Sequence, residues 1–332
     1  TRTKLRIHIH TDNPSNVFAK LENKGRLVYQ KVDDMVMQKD IVNNRKADIA
    51  LLTDSAADIP QELVDKYQIQ VVPYRVQFGE QSFLDGLTLS SEDFYNKLAN
   101  TKEIPQSAQP SYHDFLNRYN YLSSHYPSVI GLHLSKAMSG LWSNSFRAGN
   151  AIAKQQDKDI SVINSKRLTS GEGLLVLRTA EAIHQGTDKE TIVKNLNEWT
   201  DKTHMFVSTR TLKYMVRSGR VSPVKAAFGK LLNLKPVISV NNEGKAEVVA
   251  KPFTANGSVN AVLKFAKQVL ANADNKIWGY AISHADNEKV ALQYAEEMEK
   301  LTGMKPKFIS RAAPVLALHV GRGVVALSIM ES

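Results

Sequence analysis

Ile49-Ala50-Leu51-Leu52-Thr53-Asp54-Ser55-Ala56-Ala57-Asp58-Ile59-Pro60 carries the fold in miniature. Residues 49–52 form an unbroken apolar run of the length of a buried strand, too short for a free-standing helix. A hydroxyl, a carboxylate and a second hydroxyl follow at once in Thr53-Asp54-Ser55. Asp58, with Ile59 and Pro60 behind it, reads as a helix start, because proline fits the first turn of a helix and disrupts its interior. A strand that ends in small polar groups and hands over to a helix is the repeating unit of an α/β protein.

The same pattern recurs in both directions. Strands are expected at residues 49–52, 71–78, 129–134, 160–163, 205–207, 236–240, 277–282 and 324–329. Helices are expected at 60–67, 92–98, 141–155, 173–185, 189–199, 259–272 and 287–302, the last ended by Gly303. Small polar residues follow several of these strands: Ser135 through Ser139-Gly140, Asn164-Ser165, Ser208-Thr209-Arg210 and Ser283-His284. Any one of them is explained by helix capping. Ligands of open α/β sheets sit beyond the carboxyl ends of the strands. As a set, with one Arg and one His added, these residues suit a carboxylate or a phosphate.

Composition narrows the classes. The chain of 332 residues is 42% apolar, long enough for two domains of ordinary size. It has no cysteine, which removes disulfides and thiolate metal sites and fits a cytoplasmic protein. No apolar run reaches the length of a membrane span. The net charge is +10, but residues 1–46 alone hold 10 Lys/Arg against 5 Asp/Glu. The remaining charge is thinly spread without an aromatic-studded basic run, so no nucleic acid partner is expected. No phosphate-binding P-loop and no nucleophile elbow occur. Gly321-Arg322-Gly323 precedes a strand-like run and not a helix, so it is no dinucleotide site.

The first 46 residues read as a separate piece. Residues 5–10 alternate as a strand, Asn13-Pro14 turns, 17–21 suit a short helix, and 43–46 a polar linker. His8 and His10 share one strand face, but zinc needs more ligands, so no metal is expected. The Thr1-Arg2-Thr3-Lys4 start lacks an initiator Met and reads as the interior of a longer protein.

Six segments, in order, resemble the DegV family, which includes the fatty-acid-binding subunits of bacterial fatty acid kinase. They are Thr53-Asp54-Ser55 through Pro60, Ser107-Ala108-Gln109-Pro110-Ser111, Leu134-Ser135 through Ser139-Gly140, Tyr214 through Gly219-Arg220-Val221-Ser222, Ser283-His284-Ala285-Asp286, and Pro314-Val315 to His319, Gly321 and Gly323. The resemblance implies an α/β chain with two domains. Residues 47–165 would form a three-layer α/β/α domain with a mainly parallel sheet, and 166–332 a second α/β domain with a mixed sheet. A long-chain fatty acid would lie between them, its carboxylate held by Ser107, Ser139, Arg220 and His284. Thr53, Asp54, Ser55, Gln109, Gly140 and His319 would be neighbours. Ala108, Leu141, Ser218 and Arg322 depart from the family pattern and alter the expected head-group surroundings.

Residues 1–46 resemble the end of a different protein, the middle domain of the kinase subunit, through Lys4-Leu5-Arg6-Ile7-His8-Ile9-His10-Thr11-Asp12-Asn13-Pro14 and Val32-Asp33-Asp34-Met35. Together the two resemblances imply a carrier and not an enzyme, with no cofactor and no catalytic residue. A kinase module fused upstream would phosphorylate the carboxylate for phospholipid synthesis. The alternative is a hydrolase or phosphotransferase acting on a small anion, with Ser139 as nucleophile and His284 as base.

Overall fold

The computed structural model describes residues 4–101, 103–221, 234–274 and 276–332. The N-terminal piece holds two short helices, α1 (Pro14–Leu21) and α2 (Met35–Asn43). Asn13 and Asp34 cap them by accepting from the amides of Asn16 and Met37. Residues 5–10 do not form the expected strand. Leu5, Ile7 and Ile9 are 81%, 52% and 49% exposed. Alternation makes a strand only where a neighbouring chain completes the hydrogen-bond ladder, and no described segment does so. Polar pins tie the piece down. The buried Gln30 donates to Ser82 O at 2.5 Å and accepts from Thr88 Oγ1 at 2.7 Å. Lys97 Nζ lies 2.5 Å from Glu22. Residues 43–46 are anchored too, through Lys46 N to Gln68 Oε1 at 3.0 Å.

The first sheet is built from β1 (Ile49–Asp54), β2 (Gln70–Val72), β6 (Ser128–His133) and β7 (Asp159–Asn164). Its order is β2-β1-β6-β7 and every pairing is parallel. Helix α3 (Gln61–Tyr67) follows β1. The expected strand over 71–78 is two strands in two sheets, because Pro73 has no amide to continue the ladder. After it, β3 (Arg75–Phe78), β4 (Gln81–Leu84) and β5 (Gln106–Ala108) make a small antiparallel sheet, with α4 (Ser91–Asn100) between β4 and β5. Helices α5 (Tyr112–His125) and α6 (Leu141–Gln156) pack on each other and on β6.

Helix α7 (Thr169–His184) is the centre of the molecule. Every residue from 169 to 177 is buried. It packs on β1 of the first sheet and also on the second sheet, which is why its apolar residues, among them Leu174, Leu175 and Leu177, leave no solvent face. Gly173 permits the close approach: a Cβ there would stand 2.5 Å from Ala57 O and 2.7 Å from Phe308 Cζ. Burying each of those leucines contributes about 1.5–3 kcal/mol.

The second sheet follows. Helix α8 (Lys189–Asp201), β8 (Thr203–Ser208), α9 (Lys213–Arg217), β9 (Val237–Val240), β10 (Ala246–Ala250), α10 (Ala255–Asn272), β11 (Ile277–His284), α11 (Glu288–Thr302), β12 (Phe308–Arg311), α12 (Pro314–Val320) and β13 (Val325–Glu331) complete the chain. The order is β10-β9-β8-β13-β11-β12, mixed because only β11 and β12 run parallel. α10 and α11 cover the face opposite α7. Gly303 ends α11 in the left-handed conformation at φ +68°, as its position predicts.

Candidate functional site

Helix α12 belongs to the second half of the chain but packs on β3, β5 and the 3-10 turn Ser55–Ala57 of the first. Its last turn carries His319, whose Nε2 lies 3.0 Å from Ser107 Oγ in β5. The other ring nitrogen, Nδ1, is buried with no partner among the described residues. Burial first, then the charges of Arg220 and Arg217, lowers the His319 pKa to about 4. The ring is therefore neutral at pH 7. With its proton on Nδ1, Nε2 accepts from the Ser107 hydroxyl and Nδ1–H is left as a free donor. Arg220 stands just beyond α9, exposed, with its guanidinium donating to Ser218 O. Ser222, the last residue of that motif, lies outside the described residues.

Ser139 sits on a second polar group. Tyr74 Oη donates to its hydroxyl at 2.8 Å, and that hydroxyl reaches Gln109 Oε1 at 3.4 Å and accepts from Leu141 N at 3.2 Å. Gly140 is the exposed residue preceding α6. Leu141, where the family pattern has a threonine, is fully buried in the core, so it faces the packing and not a head group. Arg322 pairs with Asp286.

His284 is placed differently from the sequence expectation. It ends β11, is 5% exposed, and its Nδ1 accepts from Asn287 N at 3.2 Å. Burial lowers its pKa. Its bonding is to its own turn, while Ser107 is bonded to His319. The structure thus brings Ser107, His319 and Arg220 to one side and Ser139, Gln109 and Tyr74 to another. It does not hydrogen-bond Ser139 to His284, the pair that the hydrolase alternative needs.

Thr53, Asp54 and Ser55 are buried or half-buried pins. Asp54 accepts from Leu134 N and Ala56 N, both at 3.1 Å. Thr53 Oγ1 reaches Glu172 Oε1 at 3.5 Å, and Ser55 Oγ donates to Asp85 Oδ2 at 2.6 Å. Asp54 also begins a row with His133 Nδ1 at 3.3 Å, and His133 Nε2 meets Ser145 Oγ at 2.7 Å. That is the order of a hydrolytic triad, yet all three residues are fully buried, and a nucleophile needs access to its substrate. The accessible pair, Ser107 with His319, has no carboxylate to orient the ring among the described residues, and its histidine is too weakly basic to take a proton at pH 7. Neutral donors beside two cations bind an anion; they do not activate a nucleophile.

Sequence reasoning passed over Asp85, Glu172 and Tyr74, and it misread Asp58. Asp58 does not start α3: it adopts φ +51°, and its buried carboxylate accepts from Ala313 N at 2.7 Å. Asp85-Gly86 had a turn signature only, and nothing local reports that Asp85 meets Val315 N at 3.2 Å.

Among the described residues no helix is long and apolar enough to cross a membrane. Residues 48–332 match the family described as "Uncharacterised protein, DegV family". Residues 1–42 match a second family, the middle domain of proteins like the fatty acid kinase catalytic partner. A DegV domain-containing protein of Clostridium acetobutylicum is 30% identical over 286 residues, 85% of this chain and 99% of that protein. The structure of DegV from Bacillus subtilis, described as a fatty acid binding protein, aligns with a TM-score of 0.77 at 26% identity, over 86% of this chain and 100% of that one. A fatty acid binding DegV family protein from Streptococcus agalactiae aligns with a TM-score of 0.76 at 27% identity, over 86% and 99%. The motifs, the two sheets and these matches agree, and the chain belongs to the DegV family.

Proposed function

We propose that this chain binds a long-chain fatty acid between its two α/β domains, residues 47–165 and 166–332, and presents the carboxylate to a kinase module for acyl-phosphate formation. The observation that carries the reading is the orphaned His319 Nδ1, a buried donor beside Ser107 with Arg217 and Arg220 close by. A carboxylate oxygen would satisfy that donor, and Arg220 would balance its charge. Ser139, with Tyr74 and Gln109, supplies a second set of hydroxyl and amide groups toward the same end of the ligand. His284 shapes the turn after β11. The two relatives named as fatty acid binding support the ligand class. Each buried methylene contributes about 0.8 kcal/mol. The tail therefore dominates affinity, while the polar groups set which end faces out.

The kinase partner is proposed from residues 1–46, the end of a kinase middle domain, which would make carrier and kinase parts of one polypeptide. Eight of its large apolar side chains, Tyr29 and Val36 among them, are exposed, which suits a segment that packs against further protein. The chain itself acts as a carrier, without catalytic residues. Titration with cis-parinarate, a fluorescent fatty acid, tests the ligand. Saturable binding that Arg220→Ala weakens for the acid, and not for the matching alcohol, is expected. Equal losses for acid and alcohol would remove Arg220 from the carboxylate.

A further inference from the structure

Helix α12 is held at both ends by the first domain. Its last turn meets Ser107 through His319. Its first amides meet two buried carboxylates: Asp58 Oδ1 accepts from Ala313 N at 2.7 Å, and Asp85 Oδ1 from Val315 N at 3.2 Å. The second oxygen of each is also committed, Asp58 Oδ2 to Thr169 Oγ1 at 2.5 Å and Asp85 Oδ2 to Ser55 Oγ at 2.6 Å. Asp58 is 6% exposed and Asp85 2%. Asp58 adopts its left-handed φ of +51° to reach the helix. Structural economy alone would use one uncharged cap. Two acids, facing each other and the amides of one seven-residue helix, make a different device.

We propose that Asp58 and Asp85 are a proton-linked latch that docks α12 on the first domain and thereby positions His319 beside Ser107. Both are positioning residues. The latch stands on these contacts alone; that it orients a fatty acid carboxylate rests on the function proposed above.

The direction of the proton linkage follows from the surroundings. Facing the two aspartates are Asp54 at the end of β1, Glu172 in α7, Tyr74 before β3 and Tyr95 in α4, with the hydroxyl of Ser283 near Asp58. Among the described residues no cation joins them at close range; the nearest, Arg311 and Arg322, act on Tyr95. Desolvation by burial, with the neighbouring carboxylates adding to it, raises both pKa values from 3.8 to about 7. Glu172 is raised well above its ordinary value, for the same first reason, and both tyrosines are raised too, so none of them titrates in the same window. Docking the helix therefore takes up protons. The docked state is favoured below the free carboxyl value and loses that advantage as pH rises to about 7 and through it.

Amide hydrogen exchange of Ala313 and Val315 reads the latch without any ligand. From pH 6 to pH 8, protection factors corrected for intrinsic exchange should fall about tenfold for each aspartate that stays coupled. In the Asp58→Asn/Asp85→Asn variant, the amide oxygens still accept but no longer titrate, so protection should stay level across that range. Flat or rising protection in the unmodified chain overturns the latch, as does an undiminished slope in the double variant. Cis-parinarate binding measured alongside separates the two claims. A pH-dependent latch in a protein that binds no parinarate leaves the latch standing and removes the fatty acid reading. Parinarate binding with pH-independent protection does the reverse.

Discussion

Replacing His319 by alanine separates two histidines that the sequence alone does not distinguish. The imidazole supplies one free donor, Nδ1–H, which is buried and without a partner among the described residues. A hydrogen bond to a charged acceptor contributes about 1.5–3 kcal/mol net, so the variant should bind palmitate roughly tenfold to 150-fold more weakly. Hexadecanol, which has no charge to receive, should lose far less. The tail's burial, about 12 kcal/mol gross for palmitate, is untouched, so binding should weaken without vanishing. Alanine suits the last turn of a helix, and the variant should fold. His284→Ala is the companion. Its ring nitrogen accepts from Asn287 N, so the loss should appear as about 1 kcal/mol of stability with acid and alcohol affected alike. Displacement of cis-parinarate by acid and by alcohol, with thermal melting for both variants, measures this. If His284→Ala, and not His319→Ala, removes the preference for acid over alcohol, the head-group reasoning is wrong.

Two further outcomes follow from the packing and charge. Gly173→Val places atoms against Ala57 O and Phe308 in the helix shared by both sheets. It should cost about 1–3 kcal/mol, and melting should fall by roughly 2–6 °C; an unchanged melting temperature would mean that α7 is not clamped between the sheets. Glu172, raised well above its ordinary pKa by burial, is protonated in the folded chain at pH 7. A raised folded pKa gives stability that is full below the unfolded value and is lost as pH rises. Glu172→Gln should therefore gain stability relative to the unmodified chain as pH increases, in melts from pH 6 to pH 9; a difference constant with pH would contradict it.

The strands at 49–54, 128–133 and 277–284 are legible because their runs are apolar enough to be buried on both faces. β5 is not, because Gln106-Ser107-Ala108 has no pattern to read and exists as a strand only through β3. Helix α5 also passes unread, since Phe115, Tyr119 and Leu122 are its buried stripe among tyrosines, serines and histidines that dilute it. The strand over 5–10 fails for the opposite reason: the pattern is present and the partner is not, among the described residues. Ser107, Ser139 and Arg220 come from motifs, which mark loop ends well. The choice of His319 over His284 as the partner of Ser107 depends on α12 folding back onto β5, a contact between residues 212 positions apart. Asp58 and Asp85 are invisible for the same reason, since their partners are amides of a distant helix whose position no local spacing encodes.

The central claim is that the chain carries a fatty acid. Native mass spectrometry of the purified protein tests it most directly. A second species heavier by the mass of a C16 or C18 fatty acid is expected, or its appearance on adding palmitate or oleate, with a raised melting temperature. Only ligand-free protein, with melting unmoved by either acid, would contradict it.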